Sequence, residues 1–293
     1  MNYYFLPGIG TFGGIKVGFQ FAEILASLGV RIAVATPGGM APRWFSNSAS
    51  VVCRDVLLPN LRPTDTVLFS LPQDYAFLKP TPARLVFHCM GTDPLIDPIL
   101  RDPSVTVLTC WQQAREYAEA HLRNPIEVGI SVSDCFFYDG SVKEARRMAY
   151  MPRRGAGVTQ MARECLPHLQ LEAIDGANEE AVAATLKRSN YFLASSEGEW
   201  FGLPALEAMA AACVVVSLPV LGGAEYLIDR GTALVVATNA LPAALQEISD
   251  PANGRLRDRL RSGAVAGAAR YRSGLQKTKL RQALRGPLQH VFS

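Results

Sequence analysis

The sequence predicts an α/β chain with parallel sheets, divided into two domains. Three observations predict it. Short apolar runs of strand type alternate with helical stretches, as at Tyr3–Leu6, Ile15–Leu28 and Val30–Ala35, and such alternation builds helix-covered parallel sheets. Some strand runs have no polar face: Cys213–Ser217 reads CVVVS, the pattern of a strand buried on both sides. And 293 residues suit two domains of ordinary size.

Composition narrows the class. A hydrophobic content of 49% with 19% charged residues describes a globular protein with a substantial core. No apolar run reaches about 18 residues, so no transmembrane helix is expected. The start, MNYYFLPGIG, lacks a basic leader region and reads as a first strand, not a signal peptide. The six cysteines, at 53, 89, 110, 135, 165 and 213, form no CxxC. Reduced thiols in a cytoplasmic protein are expected, with no metal site. Net charge is only +3, yet Arg255, Arg257, Arg259, Arg261, Arg270, Arg272, Lys277, Lys279, Arg281 and Arg285 share their stretch with a single acid, Asp258. This bias reads either as a solvated helix face or as a contact for an anionic surface, lipid or nucleic acid. The expected location is the cytoplasm, with peripheral attachment to a membrane as the variant this stretch allows.

Taken in order, Tyr3–Leu6 joins helix Ile15–Leu28 through Pro7-Gly8-Ile9-Gly10-Thr11-Phe12-Gly13-Gly14. A glycine loop at the carboxyl end of a first strand is where open α/β sheets bind ligands. Its spacing is not GxGxxG, which weakens a dehydrogenase reading. Asp65–Ser70 and Ala83–His88 are buried strands, with Pro72–Pro82 read as loop between them. Val105–Thr109 is the next strand, followed by Cys110-Trp111 and a helix over Gln112–His121. The domain boundary is expected within 130–145 and is drawn after residue 138, giving domains 1–138 and 139–293. Val142–Met148 is read as a charged, solvated linker. Met148–Met151 then opens the second domain as a short strand, with Pro152-Arg153-Arg154-Gly155 after it. Gly157–Leu166 is a helix, and Leu169–Ile174 a strand ending at Asp175-Gly176. Asn178 reads as an N-cap with Glu179 and Glu180 in the first turn. Ala233–Val236 is a last strand, Leu241–Ile248 a helix, and basic helices fill 254–289.

The most informative stretch is Ser195–Tyr226, SSEGEWFGLPALEAMAAACVVVSLPVLGGAEY. Asn190–Ala194 leads in as a strand, and Gly202-Leu203-Pro204 punctuates the loop. Proline is tolerated in a first helical turn, and Ala205–Ala212 is a strong helix former. Gly222-Gly223 opens another short helix. Glu199 and Glu207 stand near a helix N-terminus, whose free N–H groups and partial positive charge suit a phosphate. Carboxylates beside such an end can accept hydrogen bonds from ligand hydroxyls. A nucleotide sugar offers both diphosphate and hydroxyls.

Glu199-x7-Glu207 within E-x-FGLPALEAMA…VVVS…GG…E resembles the donor-binding motif of glycosyltransferase family 4, retaining enzymes of the GT-B fold. The resemblance implies two Rossmann-like domains facing across a cleft, an acceptor domain first and a donor domain second. It implies that the final helix, about 275–290, packs back on the first domain. It implies that Glu199 binds sugar hydroxyls and Glu207 the ribose, with Phe201, Gly202 and Leu203 leading the diphosphate to the helix N-terminus. Gly13 and Gly14 would approach the donor phosphate or the acceptor, and His88 would lie by the transferred sugar. Arg153 or Arg154 would hold the diphosphate, and Asp175 would border the base. Two departures stand out. Trp200 occupies a position where the family usually has glycine, and the phosphate lysine that usually follows the arginine is absent.

The function these features predict is metal-independent, retaining transfer of a sugar from a nucleotide-diphosphate sugar to an unidentified acceptor. Uridine as the base is a habit of the family, and no cofactor is implied beyond this co-substrate. Two alternatives are a non-catalytic GT-B subunit that binds nucleotide sugar or a partner, and a sugar transferase acting on modified DNA bases.

Overall fold

A computed structural model of the chain describes residues 1–153, 155–196 and 198–292. The chain divides into two compact units. Unit 1 is Met1–Ser131 with the chain from Gly274 onward, and unit 2 is Val132–Ser273.

Unit 1 is built on strands β1 (Asn2–Phe5), β2 (Ile32–Thr36), β3 (Val51–Cys53), β4 (Thr66–Phe69), β5 (Arg84–Cys89), β6 (Thr106–Thr109) and β7 (Ile126–Glu127). Their order across the sheet is β3-β2-β1-β4-β5-β6-β7, all parallel. Helices α1 (Gly13–Ser27), α2 (Arg54–Leu57), α3 (Pro72–Leu78), α4 (Asp97–Leu100) and α5 (Gln112–Ala120) supply the crossovers. Strands buried on both faces explain the continuous apolar runs of β2 and β4. The stretch read as a loop at Pro72–Pro82 is helical over α3. Its polar opening hides a helix that starts on proline and buries Tyr75 and Leu78 one turn apart.

Unit 2 carries β8 (Glu144–Tyr150), β9 (Gln170–Ala173), β10 (Ser189–Ala194), β11 (Val214–Ser217) and β12 (Leu234–Val235), in the parallel order β12-β11-β10-β8-β9. Its helices are α6 (Ala156–Cys165), α7 (Glu179–Arg188), α8 (Leu203–Ala210), α9 (Leu241–Ser249) and α10 (Gly254–Ala269). The expected linker at 142–148 is mostly strand. β8 begins at Glu144; Arg147 pairs sideways, with Glu144 at 2.7 Å and with Glu172 of β9 at 2.6 Å, and Arg146 is exposed. Lys143, just before it, reaches inward to backbone carbonyls.

The last helix, α11 (Ser273–Leu284), belongs from Gly274 onward to unit 1, as does the turn after it. Leu280, Leu288 and Phe292 join Tyr4, Phe19, Phe21 and Leu68 in one apolar cluster. Gln276 receives a hydrogen bond from Ser131 at 2.6 Å and donates to the Gly129 carbonyl at 2.8 Å. Among the described residues no helix is long and apolar enough to cross a membrane.

Candidate active site

In an open parallel sheet, ligands bind at the carboxyl ends of the strands, where successive crossovers leave in opposite directions. In unit 2 that point lies between β8 and β10, because β9 flanks β8 on one side and β10 on the other. The loops there are 151–155 and 195–202. They touch backbone to backbone. Gly155 has φ +84°, and a Cβ on it would sit 1.9 Å from the Ser195 carbonyl oxygen. The Ser195 hydroxyl donates to the Met151 carbonyl at 3.4 Å. Gly155→Ala combines a clash with a left-handed backbone, so it is expected to cost about 3 kcal/mol or more. A urea melt superimposing on that of the wild type would contradict this packing of the two loops.

The second loop is stapled from below. The fully buried Tyr226 directs its hydroxyl at the carbonyls of Phe201 (2.6 Å) and Gly202 (2.7 Å). The Phe201 ring is buried against Tyr226 and Tyr271, with centroids 5.0 and 5.9 Å away. Leu221 N–H donates to the Glu199 carbonyl at 2.8 Å. Gly202, at φ +79°, caps α8 without a side chain, and a Cβ there would lie 2.9 Å from the Tyr226 oxygen. Pro204 brings no N–H to the first turn of α8 and the Ala205 N–H donates to the Gly202 carbonyl at 3.0 Å, so the Leu203 N–H, on a fixed backbone, is the donor this helix start turns toward an anion.

Both glutamates belong to this frame. Glu207 lies buried on α8, and Glu199 lies in the stapled loop. Burial pushes the Tyr226 hydroxyl far above its usual range, and the charges of Tyr271, Glu199, Glu207 and Glu225 add to the effect. Glu199 and Glu207, eight positions apart, are thus within electrostatic reach of one hydroxyl. Trp200 is half-buried between the pinned carbonyls of Glu199 and Phe201. Arg153 is exposed at the carboxyl end of β8, and Asp175 is exposed at that of the neighbouring β9. Arg154 lies outside the described residues. Tyr226 was read from sequence only as the end of a short helix. Its signal was the GG-x-E-Y spacing behind a buried strand.

In unit 1 the corresponding point lies between β1 and β4. Gly13 and Gly14 open α1 there and are exposed. A Cβ on Gly14 would meet only the Met90 methyl at 3.8 Å, an ordinary contact. Lys16, one turn into α1 and only 5% exposed, was not singled out by the sequence. A lysine so buried is kept by partners.

His88 stands one residue before the carboxyl end of β5, where the sequence puts it, and is 0% exposed. Its Nδ1 is hydrogen-bonded with the Tyr4 hydroxyl at 2.8 Å and its Nε2 with Cys110 Sγ at 2.9 Å. Burial pushes its pKa down to about 3, so the ring is neutral at physiological pH. Period-two alternation turns this position onto α1, where Phe21 lies 4.5 Å from the ring.

Asp74 of α3 is the more anomalous titratable group. It is 3% exposed and its Oδ2 has no hydrogen-bond partner. Burial pushes its pKa up to about 6, against a smaller pull from Arg54. A carboxyl group whose folded pKa is raised costs stability as pH climbs from the unfolded value, 3.8, through the folded one. Asp74→Asn is expected to stabilise the protein at pH 8, by at most about 3 kcal/mol, and to change nothing near pH 3.5. Equal melting shifts at the two pH values would refute this.

Half of the basic stretch has partners within the fold, although Arg270, Arg272 and Lys279 among them stay exposed. Arg257 donates to the carbonyls of Ile248 and Pro251, Arg261 to that of Ala212, and Arg270 to that of Glu225. Arg272 lies over the Phe137 ring at 3.8 Å, and Lys279 pairs with Glu127. Among the described residues no three His, Cys, Asp or Glu side chains gather into a group that could hold a metal ion.

Residues 157–264 match the family model of the glycosyl transferases group 1. Over whole chains, the fold is similar to a glycosyltransferase from Rickettsia africae (TM-score 0.73, 15% identity, 99% of this chain and 98% of that one). It is similar to a sucrose-phosphate synthase from Thermosynechococcus elongatus (0.72, 16%, 98% and 99%). It is also similar to HepE of Anabaena, solved with UDP (0.65, 10%, 97% and 99%). The fold is that of the GT-B glycosyltransferases. No curated protein matches the chain by sequence. Within this GT-B chain the segment matched by the family model runs from α6 into α10. It therefore contains Asp175, Glu199, Phe201, Gly202, Leu203 and Glu207.

Proposed function

We propose that this chain is a retaining glycosyltransferase whose unit 2 binds a nucleotide-diphosphate sugar. The observation that carries the reading is the Tyr226-stapled loop, which presents Glu199, the first turn of α8 and Glu207 as one frame at the carboxyl edge of the sheet. The group 1 match over the same residues supports sugar transfer. UDP is the first nucleotide to try, since a fold neighbour was solved with it.

Each role follows from placement. The Leu203 N–H opening α8 and the Arg153 guanidinium stabilise charge growing on the leaving diphosphate. The neighbouring Arg154 is the alternative guanidinium for this task. Glu207, fixed on the helix, accepts hydrogen bonds from the ribose diol. Glu199 accepts from the sugar and orients the anomeric carbon, and Trp200 borders it. Asp175-Gly176 edges the base. Gly13 and Gly14 leave backbone N–H groups open to close approach, since nothing in the packing forbids a side chain at Gly14. His88, neutral and enclosed, acts by position, tying β1 and β5 to the start of the 110–111 turn.

Free nucleotide release from a panel of UDP-, GDP-, ADP- and TDP-sugars tests this. Slow hydrolysis of one donor by the wild type, absent in Glu199→Ala, is the expected result. Donor-induced thermal stabilisation without any release would mark a binding-only GT-B protein, and no stabilisation by any donor would remove the donor site from the reading.

A further inference from the structure

We propose that the amino edge of the unit 1 sheet, the end away from the glycine loop, docks on an anionic lipid surface, with Arg31, Arg62 and Arg84 against the headgroups and Leu122 dipping below them. Two independent observations meet there. The first is a row of cations. Arg31 immediately precedes β2, Arg62 lies in the turn before β4, and Arg84 opens β5, and all three are exposed. The sheet order β2-β1-β4-β5 sets them along one rim, over about 15 Å at the usual strand spacing.

The acids of this rim are already engaged. Asp65 accepts from the Met1 ammonium at 3.1 Å and from the Arg62 backbone N–H at 2.9 Å. Asp102, in the turn before β6, takes the Tyr75 hydroxyl at 2.5 Å and lies 3.6 Å from the Lys79 ammonium. Among the described residues no ion pair reaches Arg31, Arg62 or Arg84. Arg84 uses one N–H on the His290 carbonyl, 2.8 Å away, and its fork keeps the others. The chain after α11 crosses the same rim, where the Thr66 hydroxyl donates to the Val291 carbonyl at 2.9 Å, and it begins with the exposed Arg285.

The second observation is Leu122, in the turn between α5 and β7. Arg123 beside it donates to the Val105 carbonyl just ahead of β6, which holds this turn at the amino edge. Leu122 is 96% exposed and sits at φ +57°. A leucine there is strained and leaves its whole side chain in water, where a glycine or an asparagine would serve the turn better. Strained residues of this kind persist where a function uses them. Cations beside a protruding apolar side chain match a bilayer interface: headgroup phosphates take the charges and the acyl boundary takes the leucine. A nucleic acid backbone would answer the arginines and leave the leucine in water. This surface lies at the opposite end of the sheet from the glycine loop and does not rest on the sugar-transfer reading.

Sedimentation of the full chain with vesicles of phosphatidylcholine alone, and of phosphatidylcholine mixed with phosphatidylglycerol, tests this. Binding to the mixed vesicles only, weakened by salt, is expected. An arginine at such a surface is worth about fivefold in partitioning, so Arg31→Ala combined with Arg62→Ala should lower binding roughly 25-fold. Neither side chain is hydrogen-bonded or ion-paired in the fold, so this double variant should melt with the wild type. Leu122→Asn should weaken vesicle binding severalfold while melting no lower than the wild type, because it relieves the left-handed strain. A purely structural role for these residues would move the melt and spare the binding. No binding to the mixed vesicles, or binding that both variants leave unchanged, would overturn the proposal. Tighter binding to a duplex oligonucleotide, lost in the arginine variant and kept in Leu122→Asn, would overturn it in favour of nucleic acid. The nucleotide-release panel bears on the donor site alone, and neither result decides the other.

Discussion

Glu207→Ala is expected to lower kcat/KM for the nucleotide sugar by about a hundredfold to ten-thousandfold, with the fold intact. A carboxylate on a ribose diol makes two charge-assisted hydrogen bonds, each worth about 1.5–3 kcal/mol. Two such bonds sum to about 3–6 kcal/mol, and each 1.36 kcal/mol is about tenfold in rate. The loss should fall mainly on KM, because the ribose is remote from the bond that breaks and is held equally in ground and transition states. Glu199→Ala should behave differently. In the proposed role its partner is the sugar that acquires charge, so its loss should fall on kcat. The helix tolerates the change at 207, since alanine is the better helix former. Wild-type kcat/KM in both variants would leave the donor reading without support. Matching losses on KM alone would reassign Glu199 to binding.

Most of the strands were legible because burial on both faces leaves uninterrupted apolar runs, as in Val214–Ser217 and Thr66–Phe69. The candidate frame around α8 was legible because its glycines and proline are punctuation with a steric cause. Gly202 could not carry a Cβ beside Tyr226. What sequence reasoning missed depends on long-range contacts. β8 was hidden because charged residues fill its amino end, and Arg147 among them finds partners sideways, on β9 and within the strand. His88 was correctly placed on a strand, but which face a residue takes, and what waits there, is a tertiary fact. Tyr4 and Cys110 lie 84 and 22 positions from it. Asp74 carried no signal at all in a segment read as loop. Its anomaly, a missing partner, exists only once neighbours are known.

Lys143 shows how far such a tertiary fact can go, and Lys143→Met should cost unit 2 about 3–4 kcal/mol. In the sequence it sits in a charged stretch that reads as solvated. In the fold its ammonium donates to the carbonyls of Leu186 at 3.2 Å, Ser189 at 2.8 Å and Ala211, which matches its three protons to three acceptors. Leu186 and Ser189 lie at the end of α7, and Ala211 caps α8, so one cation answers the negative ends of two helices. Cys213, fully buried with its thiol pushed up to about 11 by desolvation, remains a neutral neighbour 3.8 Å away. Desolvation lowers the Lys143 pKa, so the ammonium is held by these carbonyls and not by an opposing charge. Methionine preserves the stem and its packing but takes the charged donor from three carbonyls, leaving those of Leu186 and Ser189 with the weaker Cys213 thiol at 3.1 and 3.4 Å, and a hydrogen bond to a charged group is worth about 1.5–3 kcal/mol. For a unit of this size the melting transition should fall by roughly 10 °C. Because α8 also opens the candidate donor frame, the same substitution should weaken nucleotide binding even below the melt. A variant that melts within 2 °C of the wild type would return Lys143 to the surface, and would detach the end of α8 from the site at its start.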